Sequence, residues 1–381
     1  MEERPGSTRA CTTASIFAFV FAVVALLAAP VPLYAQPAPA SAPHFDIQRF
    51  EVEGNTLLAA PEIEQALAPF KGGSKAFADL KQAADTLEYV YHARGYSAVQ
   101  VLLPEQDITQ GAVRLRVLER RVGKVVVEGN TVFGTDNVRR SLPSVQEGGI
   151  PNSLKMAREL QLTAEHPVKQ TTVMLRAGAS AEQVDVGVKV VDDKPWRVFL
   201  TLDNTGTGAT GYYRTGIGYQ HSNLFDRDHT LTVQYVTSPT HASKVGIYGA
   251  GYRIPFYGLH SSLDLVAGYS DVNSGTVQGL FTVAGSGTIA GAHWNYYPAK
   301  WGEVEQKLSL GLDYRAFNNQ VLFEGQGIVP DITVRPASAT YYGVVRGAES
   351  ELSFNAGLAA NIPGGNDGGA EDFQRARAAA T

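Results

Sequence analysis

From Trp196 onward, apolar residues alternate with polar or charged ones in short runs. Leu231, Val233 and Tyr235 take turns with Thr230, Thr232 and Gln234, and Leu263, Leu265, Ala267 and Tyr269 with Ser262, Asp264, Gly268 and Ser270. The pattern recurs at Leu308 to Tyr314 against Lys307, Asp313 and Arg315, and at Leu352 to Leu358 against Glu351, Ser353 and Asn355. A period of two predicts strands, and runs of about ten residues suit the wall of a membrane β-barrel. Nine strands are expected near residues 196–203, 211–221, 229–238, 244–254, 261–271, 286–297, 304–317, 332–346 and 350–361, with no helix among them. An Arg or Lys facing lipid at mid-depth costs ~2–4 kcal/mol. Asp264, Lys307, Asp313, Arg315 and Glu351 are therefore expected to face a wet lumen, and the apolar set the lipid. A soluble sandwich also alternates, and the pattern alone does not separate the two. Tyr212, Tyr213, Tyr252, Tyr257, Tyr296, Tyr297, Tyr341 and Tyr342 lie near strand ends, as an aromatic girdle requires.

Before Lys194-Pro195 the period changes. Phe45, Ile47, Phe50 and Val52 read as a strand ending at Gly54-Asn55, and Pro61 opens a short helix. Phe77, Leu80, Ala84, Leu87 and Tyr91 recur at helical spacing, and Arg94-Gly95 stops that helix. Strands follow at Ser97 to Leu103 and at Ala112 to Glu119, giving the order β-α-α-β-β over residues 44–120. The segment 121–193 repeats it, with KVVVEGNTVFG echoing RFEVEGNTLLA, helices near Asp136 to Leu142 and Ser153 to Ala164, and strands at Gln170 to Arg176 and Gln183 to Val191. Tyr89 and Tyr91 are expected in the core.

The N-terminus changes the setting. Arg4 and Arg9 precede the apolar run Ile16 to Ala29, and Leu33-Tyr34-Ala35 follows, the layout of a secretory signal peptide over residues 1–35. Residues 36–43, QPAPASAP, read as a linker. The only cysteine, Cys11, falls within that signal, so no disulfide or thiol chemistry is expected downstream. Charged residues make up 18% of the chain and the net charge is -5, which offers nothing to nucleic acid. No HExxH, phosphate loop or GxSxG elbow occurs, and Gly206, Gly208 and Gly211 read as a hairpin turn. Neither catalysis nor a metal, cofactor or small-molecule substrate is expected.

GNTLLAAPEIEQAL and ARGYSAVQVLLPEQDITQGAVRLRVLE resemble a POTRA domain of the two-partner secretion transporters, within the Omp85 superfamily. LDNTGT, TGYYRTGIGYQHSNLFDRD, YSDVNSGTV, GLDYRAF and NIPGGND resemble the first part of their barrel, residues 194–381. The resemblance implies two α+β POTRA domains followed by an antiparallel transmembrane β-barrel in the outer membrane of a Gram-negative cell. It also implies a β-helical secreted exoprotein, held in extended form in the periplasm and passed outward. In that fold the strand after the second helix lies at a sheet edge, where an extended peptide can add as a further strand. Ser97, Val99, Val101 and Leu103, with Gln170, Thr172, Val173 and Leu175 in the second unit, are the expected contacts. The family's barrel has sixteen strands against about nine legible here, so the barrel half is expected to be incomplete, a gene fragment being one reading. Arg346 sits in a partial match to the family's pore-loop motif and is assigned no role. A barrel-assembly insertase and a passive porin are the alternative functions.

Overall fold

A computed structural model describes residues 44–379, apart from 109, 209, 272–275, 278–280, 283–285, 319–321, 324–325 and 328–330. The expected signal peptide and linker, and part of the YSDVNSGTV stretch, lie outside the described residues.

The first unit contains β1 (His44–Ile47), β2 (Arg49–Glu53), α1 (Ala60–Leu67), β3 (Gly72–Ala76), α2 (Phe77–Ala93), β4 (Val99–Leu102) and β5 (Ala112–Glu119). Its sheet runs β2-β5-β4, with β2 parallel and β4 antiparallel to β5. The side ladder of β1 with β3 is an addition to the expected order. Both helices bury one face on this sheet, and Leu67, Ala84, Leu87, Tyr91, Val99, Val101, Leu115 and Val117 form one core. Tyr91 is buried as expected, whereas Tyr89 is 71% exposed, because α2 turns that position to solvent.

The second unit repeats the plan with β6 (Arg121–Glu128), α3 (Thr135–Ser141), α4 (Ser153–Ala164), β7 (Lys169–Ala177) and β8 (Gln183–Asp192), the sheet running β6-β8-β7. The shared EGNT has a physical cause. Gly54 and Gly129 both take φ +83°, and a Cβ on either would stand 2.4 Å from a carbonyl oxygen, that of Val117 or Val190. Asn55 and Asn130 close the turn by donating to the carbonyls of Leu58 and Phe133 at 2.9 and 2.8 Å. Thr56 and Thr131 then donate to the acid ending the last strand, Glu119 or Asp192. Asp192 accepts from the backbone of Thr131, Val132 and Phe133. Its slight burial opposes ionisation, yet these bonds win and hold the carboxyl near about 2.

Only Arg120 separates β5 from β6. At this joint Ser153 donates its amide to the Gly95 carbonyl at 2.7 Å, and Asn152 donates to that of Arg94 at 2.8 Å. Gly95 therefore does more than end α2. At φ +88° it lets the second unit approach to where a Cβ would meet the Asn152 side chain at 2.6 Å.

The remaining strands form one antiparallel meander: β9 (Trp196–Asp203), β10 (Arg214–Leu224), β11 (His229–Thr237), β12 (Ile247–Phe256), β13 (Ser261–Asp271), β16 (Ser286–Tyr296), β17 (Val304–Asn318), β21 (Pro336–Arg346) and β22 (Glu351–Asn361). The short β20 (Ile332–Val334) adds to β17, and the hairpins β14 (Thr276–Val277) with β15 (Phe281–Thr282) and β18 (Leu322–Phe323) with β19 (Gln326–Gly327) stand in the long loops. All nine expected strands occur, and β9 and β22 are the edges of this sheet. One helix departs from expectation. Ala370–Ala379 forms a helix, α5, begun by Asp372 accepting from the Gly369 amide at 2.8 Å. Among the described residues no helix is long and apolar enough to cross a membrane.

Candidate functional site

The turns at one end of the wall are short, and the second unit is docked on them. Asp228, in the turn between β10 and β11, and Lys169, at the start of β7, form a fully buried ion pair. Asn137 of α3 donates to Asp228 at 2.9 Å and accepts from Lys169 at 2.8 Å, and the Tyr257 hydroxyl donates to Asp228 at 2.7 Å. The Lys169 ammonium also lies 5.1 Å from the centre of the Phe133 ring. Burial pushes this ammonium below its usual value, though Asp228 opposes the shift. His166 donates through Nε2 to the Ser222 carbonyl at 2.7 Å, and burial likewise lowers its value. The turn itself carries three non-glycine residues at positive φ, Phe225, Asp226 and Asp228. Such backbone persists only where surrounding bonds hold it. Here Asn137 and Arg140 supply them by donating to the Asp226 carbonyl.

A second ionic cluster lies beside the first. Glu165 is ion-paired to Arg253 of β12 and to Lys307 of β17, at 3.3 Å for the lysine, and accepts the Tyr297 hydroxyl at 2.7 Å. Burial alone would raise this carboxyl, but Arg253 and Lys307 outweigh it and bring it below the usual value. Leu162, Tyr257 and Tyr297 pack together between the clusters. Tyr257 and Tyr297 are thus interior to the junction rather than members of a girdle. The aromatic row on the wall is Tyr235, Tyr248 and Tyr269 instead, on three neighbouring strands with ring centres 4.9 and 6.5 Å apart.

On the wall the expected parity holds. Leu265, Leu310, Leu312, Tyr314, Leu352 and Leu358 are exposed on one face, and the strand register puts Asp264, Lys307, Asp313, Arg315 and Glu351 on the other. The structure also brings these charges together. Asp313 accepts from His293 at 2.8 Å and Arg315 at 3.0 Å, Asp264 accepts from Asn295 at 2.8 Å, and Glu351 accepts from Arg346 at 3.1 Å.

Both nominated edge strands stand at sheet edges. β4 is shorter than expected, so Ser97 and Leu103 fall outside it. Its odd residues, Val99 and Val101, turn their side chains into the core, leaving Gln100 and Leu102 exposed. In β7, Gln170, Thr172 and Leu175 are exposed and Val173 is half-buried against the core. Between α4 and the wall lies a cleft of about 530 Å³, bounded by Leu160, Gln161 and, from β7, Thr171 on one side and by Lys307, Tyr342 and Arg346 on the other. Thr171 of the β7 edge and polar-face residues of the wall thus line the same space.

Two repeated α+β units locked to the short-turn end of an alternating antiparallel wall have the architecture of POTRA domains set before an outer-membrane β-barrel wall. Residues 45–119 match the POTRA domain, ShlB-type, and residues 182–356 match the haemolysin secretion/activation protein ShlB/FhaC/HecB. Over those residues the chain resembles that family, which is one of transporters. Among curated relatives, the heme/hemopexin transporter protein HuxB of Haemophilus influenzae is 24% identical over 45% of this chain and 30% of its own length. The outer membrane transporter CdiB-2 of Burkholderia pseudomallei is 28% identical over 45% of this chain and 32% of its own. The chain thus spans about a third of the length of these relatives. The fold is that of CdiB from Escherichia coli, with a TM-score of 0.66 over 87% of this chain and 62% of that one at 18% identity. CdiB from Acinetobacter baumannii gives 0.60 over 88% and 65% at 14%.

Proposed function

We propose that the chain acts in two-partner secretion at the outer membrane. Its POTRA units, on the periplasmic side, hold an exoprotein in extended form, and the wall conducts it outward along its polar face. The single observation that carries this reading is the cleft between α4 and the wall, where Thr171 of the β7 edge and the Lys307–Tyr342–Arg346 surface line one space. An edge strand offers main-chain hydrogen bonds to any extended sequence and no grip on a folded one. The pairing of Asp313 with His293 and Arg315 supports a hydrated face, because charges held against lipid are costly. A β-helical exoprotein is the partner of choice, since it exposes no strand edge once folded outside. A photoreactive residue at Thr172, in cells secreting the exoprotein, is expected to capture that polypeptide in the periplasm. Secretion without capture at this position overturns the reading.

A further inference from the structure

The two edge strands are not equivalent. In an antiparallel strand, alternate residues aim both backbone groups at the paired neighbour and the others aim theirs outward. In β4 the outward residues are Val99 and Val101, and three of their four groups are already engaged. The Val101 amide donates to Glu88 Oε2 at 2.9 Å, the Val99 carbonyl is bonded to His92 Nε2 at 3.0 Å, and the Val99 amide donates to the Tyr96 carbonyl at 3.1 Å. Glu88 and His92 are four residues apart on α2, so both face the edge. Their oxygen and nitrogen take the places of the carbonyl and amide of a missing neighbour strand.

In β7 the even-numbered flanks point to β8: the Val168 carbonyl accepts from Asp193 at 3.0 Å and the Gly178 amide donates to Gln183 at 3.2 Å. The odd residues therefore face outward. Neither the amides nor the carbonyls of Thr171, Val173 and Leu175 have a partner among the described residues. The Thr171 hydroxyl is also buried and unpaired at the cleft.

We propose that β7 is the open template for an incoming strand, and that Glu88 and His92 hold β4 shut until they are displaced. The occupant of β7 is an extended polypeptide whose every second backbone unit bonds to Thr171, Val173 and Leu175. The side chains on its inner side rest on Leu160 and Gln161, so small and apolar residues suit them. Its path continues over Lys307 and Arg346, which are already paired with Glu165 and with Glu305 and Glu351, so the surface beyond the docked strand sets no charge requirement. The inference deepens the transport reading and rests on it for the identity of the occupant.

The test uses the full chain in detergent with Cys11→Ser and one new cysteine, Thr172→Cys or Gln100→Cys. The probe is a peptide of about ten alternating threonines and valines, ended by lysines and carrying one activated cysteine. Capture is normalised to each site's reactivity with a small thiol reagent. Capture at position 172 is expected to exceed that at position 100 at least tenfold, and Glu88→Ala with His92→Ala is expected to bring the two within threefold. Hydrogen exchange on the unaltered chain supplies a readout that needs no variant: the Val101 amide is expected to be protected, and those of Thr171, Val173 and Leu175 to exchange at least a hundredfold faster. Equal capture before the cap is removed, no rise at position 100 afterwards, or equal exchange at the two edges overturns the proposal. If the peptide selects β7 but the chain secretes no exoprotein, the transport reading fails while the difference between the edges stands.

Discussion

Gly54 and Gly129 show how much one missing Cβ can decide. At positive φ and 2.4 Å from a carbonyl, alanine at either position must strain its backbone and push the paired strand away. Gly54→Ala or Gly129→Ala is expected to destabilise its own unit by roughly 2–4 kcal/mol, measured by chemical denaturation followed through hydrogen exchange of that unit. The buried pair of Lys169 and Asp228 makes a different demand. Lys169→Met leaves a carboxylate without its cation and is expected to cost about 3–5 kcal/mol, whereas Lys169→Met with Asp228→Asn is expected to recover part of that loss. Protease cleavage between the second unit and the wall reads both variants. The glycine turns were legible because EGNT occurs twice. The ion pair was not, since Lys169 and Asp228 lie 59 positions apart and each alone looks like an ordinary surface charge.

At the scale of elements, alternation exposed the wall strands and helical spacing exposed α2, since in each case burial imposes the period, while α4 was legible through the repeat of the first unit's order. Edge position was also within reach. What the pattern could not reveal was that Val99 and Val101 are core residues whose backbones face outward, or that Glu88 and His92 reach across from α2. Such caps depend on helix placement, which leaves no periodic trace. The same holds for the helix Ala370–Ala379, whose sequence AEDFQRARAA lacks an apolar stripe. His166 gives the junction a pH dependence. Its Nε2 donates to Ser222 while Nδ1 accepts from the Val168 amide at 3.4 Å, so both nitrogens serve the neutral ring. Burial holds its folded value below the ordinary 6.5, so as pH falls through 6.5 the unfolded chain takes up the proton first and stability is lost. The temperature of unfolding is expected to fall between pH 7.5 and pH 5.5 (on the order of two pH units around that value), and His166→Gln is expected to flatten this trend.

Across the whole molecule, the orientation of the wall is the claim most open to measurement. Leu312 is 60% exposed on the apolar face and Ser309 lies on the polar one. Leu312→Arg is expected to cost ~2–4 kcal/mol in bilayer insertion while Ser309→Arg costs about 1 or less, checked by folding into lipid vesicles under urea titration. The docked second unit carries a further consequence. Its contacts reach Ser222 and Asp228 in one hairpin, Arg253 and Tyr257 in the next, and Tyr297 and Lys307 in a third. Glu165 is satisfied only when two hairpin ends stand together, Arg253 from one and Tyr297 with Lys307 from the other, whereas Lys169 takes its partner Asp228 from the first hairpin alone. The soluble half thus acts as a clamp that ties the ends of three neighbouring hairpins to one rigid body.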